Sequence, residues 1–378
     1  MNSIIKRIAG HFLIKGDVVD VDSHFNGLVN KTFLVRTQDA NGYYDYIIQK
    51  INTYVFPNPH RLMENIVHVT RHIASKEEHN QTLHVIMSSE GKTLVEDASG
   101  CYRCYHYLEN AHNYQQLQDL RQFKEVGRAI GIFQNHLQDF PVKLLYEVIP
   151  DFHNTPKRIK ALKKAAKVGI KERIKETKNE IQNFLDKKSF LSRVQTALDQ
   201  KEIPLRVTHN DTKLNNVMFD QLTNRALCLI DLDTVMPGSV LFDFGDALRV
   251  GASTKPEDDK EFKHIAFDIT RFIAFSAGYL LQANEWLSDK EGDMLSESVY
   301  IITMECGMRF LTDYLLGDKY FLTRYPKHNL VRAKNQLSLA NDIWQKLTVM
   351  QKIVKSLRTR FEEIVITKLG RDKENCNL

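Results

Sequence analysis

No apolar run in this sequence approaches the ~18 to 20 residues that a membrane span requires. The best candidate, Phe272 to Ala283, is shorter and follows Asp268 and Arg271, so it reads as a core helix. The first residues, Met1-Asn-Ser-Ile-Ile-Lys-Arg7, lack the apolar stretch and small-residue cleavage site of a secretory signal. Cysteine is scarce and odd in number: five, at positions 101, 104, 228, 306 and 376. That count disfavours a disulfide framework and favours free thiols. Cys101-Tyr-Arg-Cys104, with His106 beside it, has no second ligand pair at zinc-site spacing, so these cysteines read as strand thiols. These absences set the expectation of a cytoplasmic protein with no membrane partner.

A large excess of one charge is also missing, since 52 basic and 47 acidic residues leave a net charge of +5. The surplus is concentrated between Lys157 and Arg193, where Ile170, Ile174, Ile181 and Leu185 recur at helical spacing. The lysines there read as the solvated face of amphipathic helices, and no nucleic-acid motif accompanies them. What is present is an ordinary globular composition, 43% apolar and 26% charged, in 378 residues, enough for two to three units.

From Asp17 to Ile51 the chain is rich in Val, Phe, Tyr and Ile and is broken at Asn26-Gly27 and at Asp39-Ala-Asn-Gly42, which predicts a three-stranded meander. Pro57 and Pro59 precede a helical stripe of Leu62, Ile66, Val69 and Ile73, predicting a helix over 60–76. Further strands are predicted over 82–88, 94–98 and 101–108. A helix is predicted over 117–137, and mostly helices beyond Pro156 apart from a block near 205–250. The expected division is a β-rich part over 1–110, a mainly helical part over 111–370 and a polar tail over 371–378.

Chemistry concentrates in that block. Leu205-Arg-Val-Thr-His209-Asn-Asp211-Thr-Lys-Leu-Asn215-Asn216 is followed by Leu227-Cys-Leu-Ile-Asp231-Leu-Asp233. Carboxylates and amides placed between apolar strands are costly to desolvate unless they meet a cation or hydrogen-bond partners. The spacing H-x-D-x-x-x-x-N, followed by an aspartate after an apolar strand, is a phosphoryl-transfer arrangement. In it Asp211 accepts the proton of an alcohol, while Asn216 and Asp231 offer a neutral and an anionic oxygen to Mg2+. His209 is expected to brace the loop.

These residues, with Ile230 to Gly238 and Phe242-Asp-Phe-Gly-Asp-Ala-Leu-Arg249, resemble the aminoglycoside phosphotransferase-like superfamily, and within it the N-acetylhexosamine 1-kinase branch. Gln49-Lys50-Ile-Asn, Val55-Phe-Pro-Asn-Pro59, Leu137-Gln-Asp-Phe140, Ile149-Pro-Asp-Phe-His-Asn-Thr-Pro156, Met308 to Tyr314 and Gly317 to Phe321 carry the same resemblance, which covers nearly the whole chain. The resemblance implies an α+β, bilobal, protein-kinase-like fold with a β-rich N-lobe and a mainly helical C-lobe. It also implies ATP and Mg2+ as cofactors and a small sugar as substrate; no oligomer is predicted, and a monomer is the expectation.

Residue by residue, it implies that Lys50 pairs with ATP phosphates and Glu64 with Lys50. The loop His24 to Asn30, with Asn26 and Gly27, would cover the phosphates; it holds one glycine where protein kinases have three. The adenine hinge would lie near Tyr107-Leu-Glu-Asn110. Asp233 is implied as a further metal carboxylate, Asp243 and Asp246 as ties to the catalytic loop, and Arg309 and Tyr320, with Trp344 behind them, as acceptor-side residues. The implied reaction is transfer of the γ-phosphoryl group to the anomeric hydroxyl of an N-acetylhexosamine. Alternatives are another acceptor (an aminoglycoside, choline, homoserine or a plain hexose) and a nucleotide-binding protein without turnover. A C-lobe that is not conspicuously acidic weighs against cationic acceptors.

Overall fold

The computed structural model describes the backbone of residues 2–23, 29–76 and 82–375, and side chains as far as Phe361. The chain forms two compact units: one comprises residues 1–112, 140–150 and 218–236, the other 113–139, 151–217 and 237–378. The sheet-bearing unit is thus assembled from three separate stretches, where the sequence suggested a single division near residue 110. The fold class is α+β, with an N-terminal antiparallel sheet and a mainly helical remainder.

The principal sheet of the first unit runs in the order Asp17–Asp22, Lys31–Asp39, Gly42–Lys50, Gly100–His106, Val85–Ile86, with Val95–Asp97 also pairing to Gly100–His106. Register between the second and third strands runs unbroken from Lys31 opposite Lys50 to Asp39 opposite Gly42. Gly42 takes a φ of 140° there, a conformation that suits a residue without Cβ. Strand side chains alternate between faces. One face carries Val35, Tyr46, Ile48, Tyr102 and Cys104, which pack with Ile5 and Ile8 of the helix Asn2–Ala9. That helix was not anticipated, because eight residues give too short a window for its periodicity to stand out.

The opposite face carries Gln49 and Arg103 and meets Met63 of the helix Pro59–Ala74. Asn58 caps this helix, its side chain accepting the Arg61 N–H at 3.1 Å, and Pro59 at the first position loses no bond because that N–H has no partner in a helix. Its buried stripe includes Leu62, Ile66, Val69 and Ile73. Cys101 and Cys104 are both buried in a strand, and burial pushes the Cys101 thiol up to about 12, far from the thiolate a metal requires. Among the described residues no three His, Cys, Asp or Glu side chains form a metal cluster.

The second unit is built on helices. Leu120–His136 lies against Ile269–Ala283, and the two backbones approach so closely that a Cβ on Gly127 or Gly278 would collide with a carbonyl of the other helix. Ile269–Ala283 contains the apolar run noted above and is a core element; no helix among the described residues is long and apolar enough to cross a membrane. The helix Asp289–Leu316 starts from a capping box between Ser288 and Glu291 and is buried nearly all round. It packs against the helices His328–Asn375, Val240–Gly251 and Thr155–Val168. The segment from Arg371, expected as a tail, continues that last long helix to Asn375. Pro237 and Gly238 close a short ladder with Arg206–Thr208, tight enough that a Cβ on Gly238 would lie 2.5 Å from the Thr208 hydroxyl.

Candidate active site

In the helical unit the strand Arg206–Thr208 delivers the loop that begins at His209. Asn210 adopts a left-handed φ of 64°, unusual for a residue with a Cβ, and the loop is held there by one carboxylate. Asp243 accepts the N–H of His209 at 3.0 Å and of Asn210 at 2.7 Å, and the Gln134 amide at 2.8 Å, while its backbone carbonyl accepts the Thr212 hydroxyl at 2.7 Å. Gln134 is itself fixed, its oxygen accepting the Tyr279 hydroxyl at 2.6 Å. Burial pushes Asp243 above the ordinary carboxylate range, opposed by His209 and these N–H donors.

His209 is fully buried against Phe133, with ring centroids 5.8 Å apart, and its Nδ1 accepts the Asp211 N–H at 3.3 Å. Its contacts are those of a brace. Asp211 is only half-buried and is shaped by two neighbours. Asn216 Nδ2 donates to its carbonyl at 2.8 Å and to its carboxylate at 3.1 Å, and the Lys213 ammonium lies 3.0 Å from that carboxylate. With its nitrogen committed to Asp211, Asn216 keeps its amide oxygen as a neutral ligand for a hard cation. Lys213 stands two positions after Asp211, outside the H-x-D-x-x-x-x-N residues that carry the motif.

In the sheet unit the hairpin Val217–Asp220, Ala226–Leu229 leads to Asp231, which also holds a left-handed conformation, φ 62° and ψ 55°. Asp233, expected as a metal carboxylate, has both oxygens engaged. Its Oδ1 lies 2.5 Å from the Arg103 guanidinium and its Oδ2 accepts the Asn30 amide at 2.5 Å. Asn30 Oδ1 in turn accepts the Asn52 N–H at 2.9 Å. Those engagements make Asp233 a tether between Arg103 of the strand Gly100–His106 and Asn30, just before the strand Lys31–Asp39. Arg103, with 1% of its side chain exposed, also donates to Gln49 at 3.0 Å, and Asp231 lies close enough to add to its stabilisation as a cation.

Lys50 does not join this group. It pairs across the ladder with Tyr102, its ammonium 6.0 Å from that ring, and therefore lies on the face of Ile48 and Cys104, opposite Gln49 and Arg103. Glu64 is exposed on its helix and, among the described residues, is not paired with Lys50. The neighbouring residue ties this helix to other stretches of the unit. Asn65, wholly buried, donates to the carbonyls of Tyr146 at 2.7 Å and Val235 at 2.9 Å and accepts the Tyr146 N–H at 2.8 Å. Asn26 and Gly27 lie outside the described residues.

The residues expected on the acceptor side belong to the helical unit. Arg309 stacks over Phe152 at 5.0 Å and Phe321 at 5.5 Å. Arg158 donates to the carbonyls of Asp151 and Phe152, and burial and the proximity of Arg309 lower its pKa. Tyr320 is exposed on a loop organised by Asp313, whose carboxylate accepts the N–H groups of Lys319, Tyr320 and Phe321, each at 2.9 Å. Asp246 pairs with Arg249 at 2.9 Å and also feels the charge of Lys213 in the catalytic loop. Trp344 packs elsewhere, against Phe190 and Tyr300 under the Lys187 ammonium.

Solved structures share this fold at low identity. A microcompartment-associated aminopropanol kinase matches with a TM-score of 0.60 at 15% identity, over 93% of this chain and 99% of its own. The spectinomycin phosphotransferase APH(9)-Ia, solved with ADP and spectinomycin, matches at 0.59 and 12%, over 91% and 98%. Choline kinase LicA from Streptococcus pneumoniae matches at 0.55 and 13%, over 91% and 99%. Residues 25–275 match the phosphotransferase enzyme family, and the chain belongs to that family.

Proposed function

We propose that this protein is an ATP-dependent kinase that phosphorylates the anomeric hydroxyl of an N-acetylhexosamine to give the sugar 1-phosphate. The observation that carries the phosphoryl-transfer part is the loop around Asp211. A half-buried carboxylate is oriented by Asn216 and Lys213, and its backbone is pinned through Asn210 to Asp243. Asp211 orients the acceptor hydroxyl and takes its proton. By the motif, Asn216 and Asp231 are the residues that would hold Mg2+, whose charge offsets that of the phosphate oxygens. Lys213, a flexible cation already beside Asp211, is suited to neutralise the transferring group.

The sugar acceptor rests on the resemblance of 149–156 and 308–321 and on local charge. Arg309 and Arg158 stand near one another, around Phe152, and a cationic acceptor would meet repulsion there, whereas a neutral sugar gains donors and an aromatic wall. ATP consumption with Mg2+ tests the reading across N-acetylglucosamine, N-acetylgalactosamine, glucose, galactose, choline, homoserine and kanamycin. Turnover confined to the acetylated sugars is expected. Turnover with an ammonium-bearing alcohol, the chemistry of the aminopropanol and choline kinases that share the fold, would keep the phosphotransferase and overturn the acceptor.

A further inference from the structure

His153 occupies a position that neither the motif nor the catalytic loop accounts for. Its Nδ1 lies 2.9 Å from Oε1 of Glu305, with 7% of the imidazole and 1% of the carboxylate exposed. The other Glu305 oxygen accepts the Thr155 hydroxyl at 2.5 Å. Burial disfavours the Glu305 carboxylate, but hydrogen bonding and charge from His153, with Thr155 and Arg309, hold its pKa below the ordinary value. An ionised carboxylate only accepts, so Nδ1 must be the donor, and the ring is fixed in one orientation. Its second nitrogen, Nε2, is buried and has no hydrogen-bond partner among the described residues.

A buried imidazole nitrogen left unsatisfied is destabilising, so a ligand group that bonds to it would be favoured there. The surroundings say which. His153 packs against Phe152 and Phe242, with centroids 4.6 and 5.0 Å apart, and Phe242 immediately precedes the Asp243 that pins the catalytic loop. Asp246, one turn further on, lies in the field of both His153 and Lys213, and Lys213 is the ion-pair partner of Asp211. His153, Phe152 and Arg309 therefore form one wall, joined through Phe242 to the helix whose Asp243 pins the loop of Asp211.

We propose that His153 is an acceptor-binding residue whose Nε2 makes a hydrogen bond to a hydroxyl of the phosphoryl acceptor, favouring a neutral polyol over an ammonium-bearing alcohol. The proposal rests on the reading of Asp211 given above. A hydroxyl suits the site because it can donate to a neutral imidazole or accept from a charged one, whereas an ammonium can only donate and would face Arg309 as well.

The test couples variants to substrate analogues. Steady-state KM and kcat are measured for the native protein, His153→Gln and His153→Phe, using the sugar the native protein turns over and its single-deoxy derivatives, with ADP affinity as the check of folding. The glutamine variant retains a donor for Glu305. The expected result is a rise of about tenfold in acceptor KM for both variants, with ATP KM and ADP affinity unchanged. One deoxy sugar should carry about the same penalty with the native protein and none further with the variants. Equal penalties for every deoxy sugar in native and variant proteins would assign His153 to packing and overturn the proposal. Absence of any sugar turnover by the native protein would instead overturn the acceptor reading on which it stands.

Discussion

The backbone N–H of Asn210 lies 2.7 Å from a carboxylate oxygen of Asp243, and Asn210 holds a left-handed φ of 64° under that bond. One side chain thereby sets the conformation of the residue immediately before the proposed base. Replacing Asp243 with alanine removes the carboxylate that accepts the buried His209 and Asn210 N–H groups, at about 1–3 kcal/mol for each bond lost. Asp243→Ala should lower the thermal midpoint by several degrees and depress kcat more than KM. An unchanged midpoint, measured by calorimetry, would show that the loop is held by other means.

Arg103 and Asp233 form a buried ion pair, and breaking such a pair from one side leaves an uncompensated charge. Arg103→Met and Asp233→Leu should each destabilise by about 3–5 kcal/mol, whereas the double variant should recover most of that loss. Chemical denaturation of the four proteins checks this. Additive losses would mean that the two groups act independently.

The placement of Lys50 on the face of Ile48 and Tyr102 bears on which cation serves the nucleotide. Lys50→Met should reduce kcat/KM by no more than about tenfold, equivalent to about 1.4 kcal/mol. A loss beyond a hundredfold would restore the role that the resemblance gave it.

The local parts of this site are legible in the sequence and the non-local ones are not. His209, Asp211 and Asn216 are fixed by spacing within one loop, and the helical stripe from Leu62 to Ile73 by its period, so both could be read directly. The face on which Lys50 stands depends on strand register, where a shift of one residue reverses every side chain. The link from Asn65 to Val235 spans 170 positions and carries no local signal, and an exposed glutamate beside it looked the more chemical choice. For the same reason Arg103 passed as a strand residue, since its partner Asp233 lies far along the chain. Segments 140–150 and 218–236 join the sheet unit through such distant contacts, which a composition shift near residue 110 does not reveal.

Glu305 gives the account a pH signature. Its folded pKa is depressed below the ordinary value of 4.5, so its contribution to stability is present above that pH and is lost as pH falls through the folded pKa. Thermal midpoints followed from pH 7 to pH 3 should fall more steeply below about pH 4.5 for the native protein than for Glu305→Gln. Parallel curves would show that the carboxylate is not held ionised by His153 and Thr155.

The most direct test of the central claim is phosphoryl transfer from ATP to N-acetylglucosamine and N-acetylgalactosamine by the native protein and by Asp211→Asn, with ADP affinity measured alongside. The account predicts Mg2+-dependent formation of the sugar 1-phosphate, reduced at least about a hundredfold in the variant, the low end for a lost general base, with ADP affinity preserved. Undiminished turnover by Asp211→Asn would contradict it.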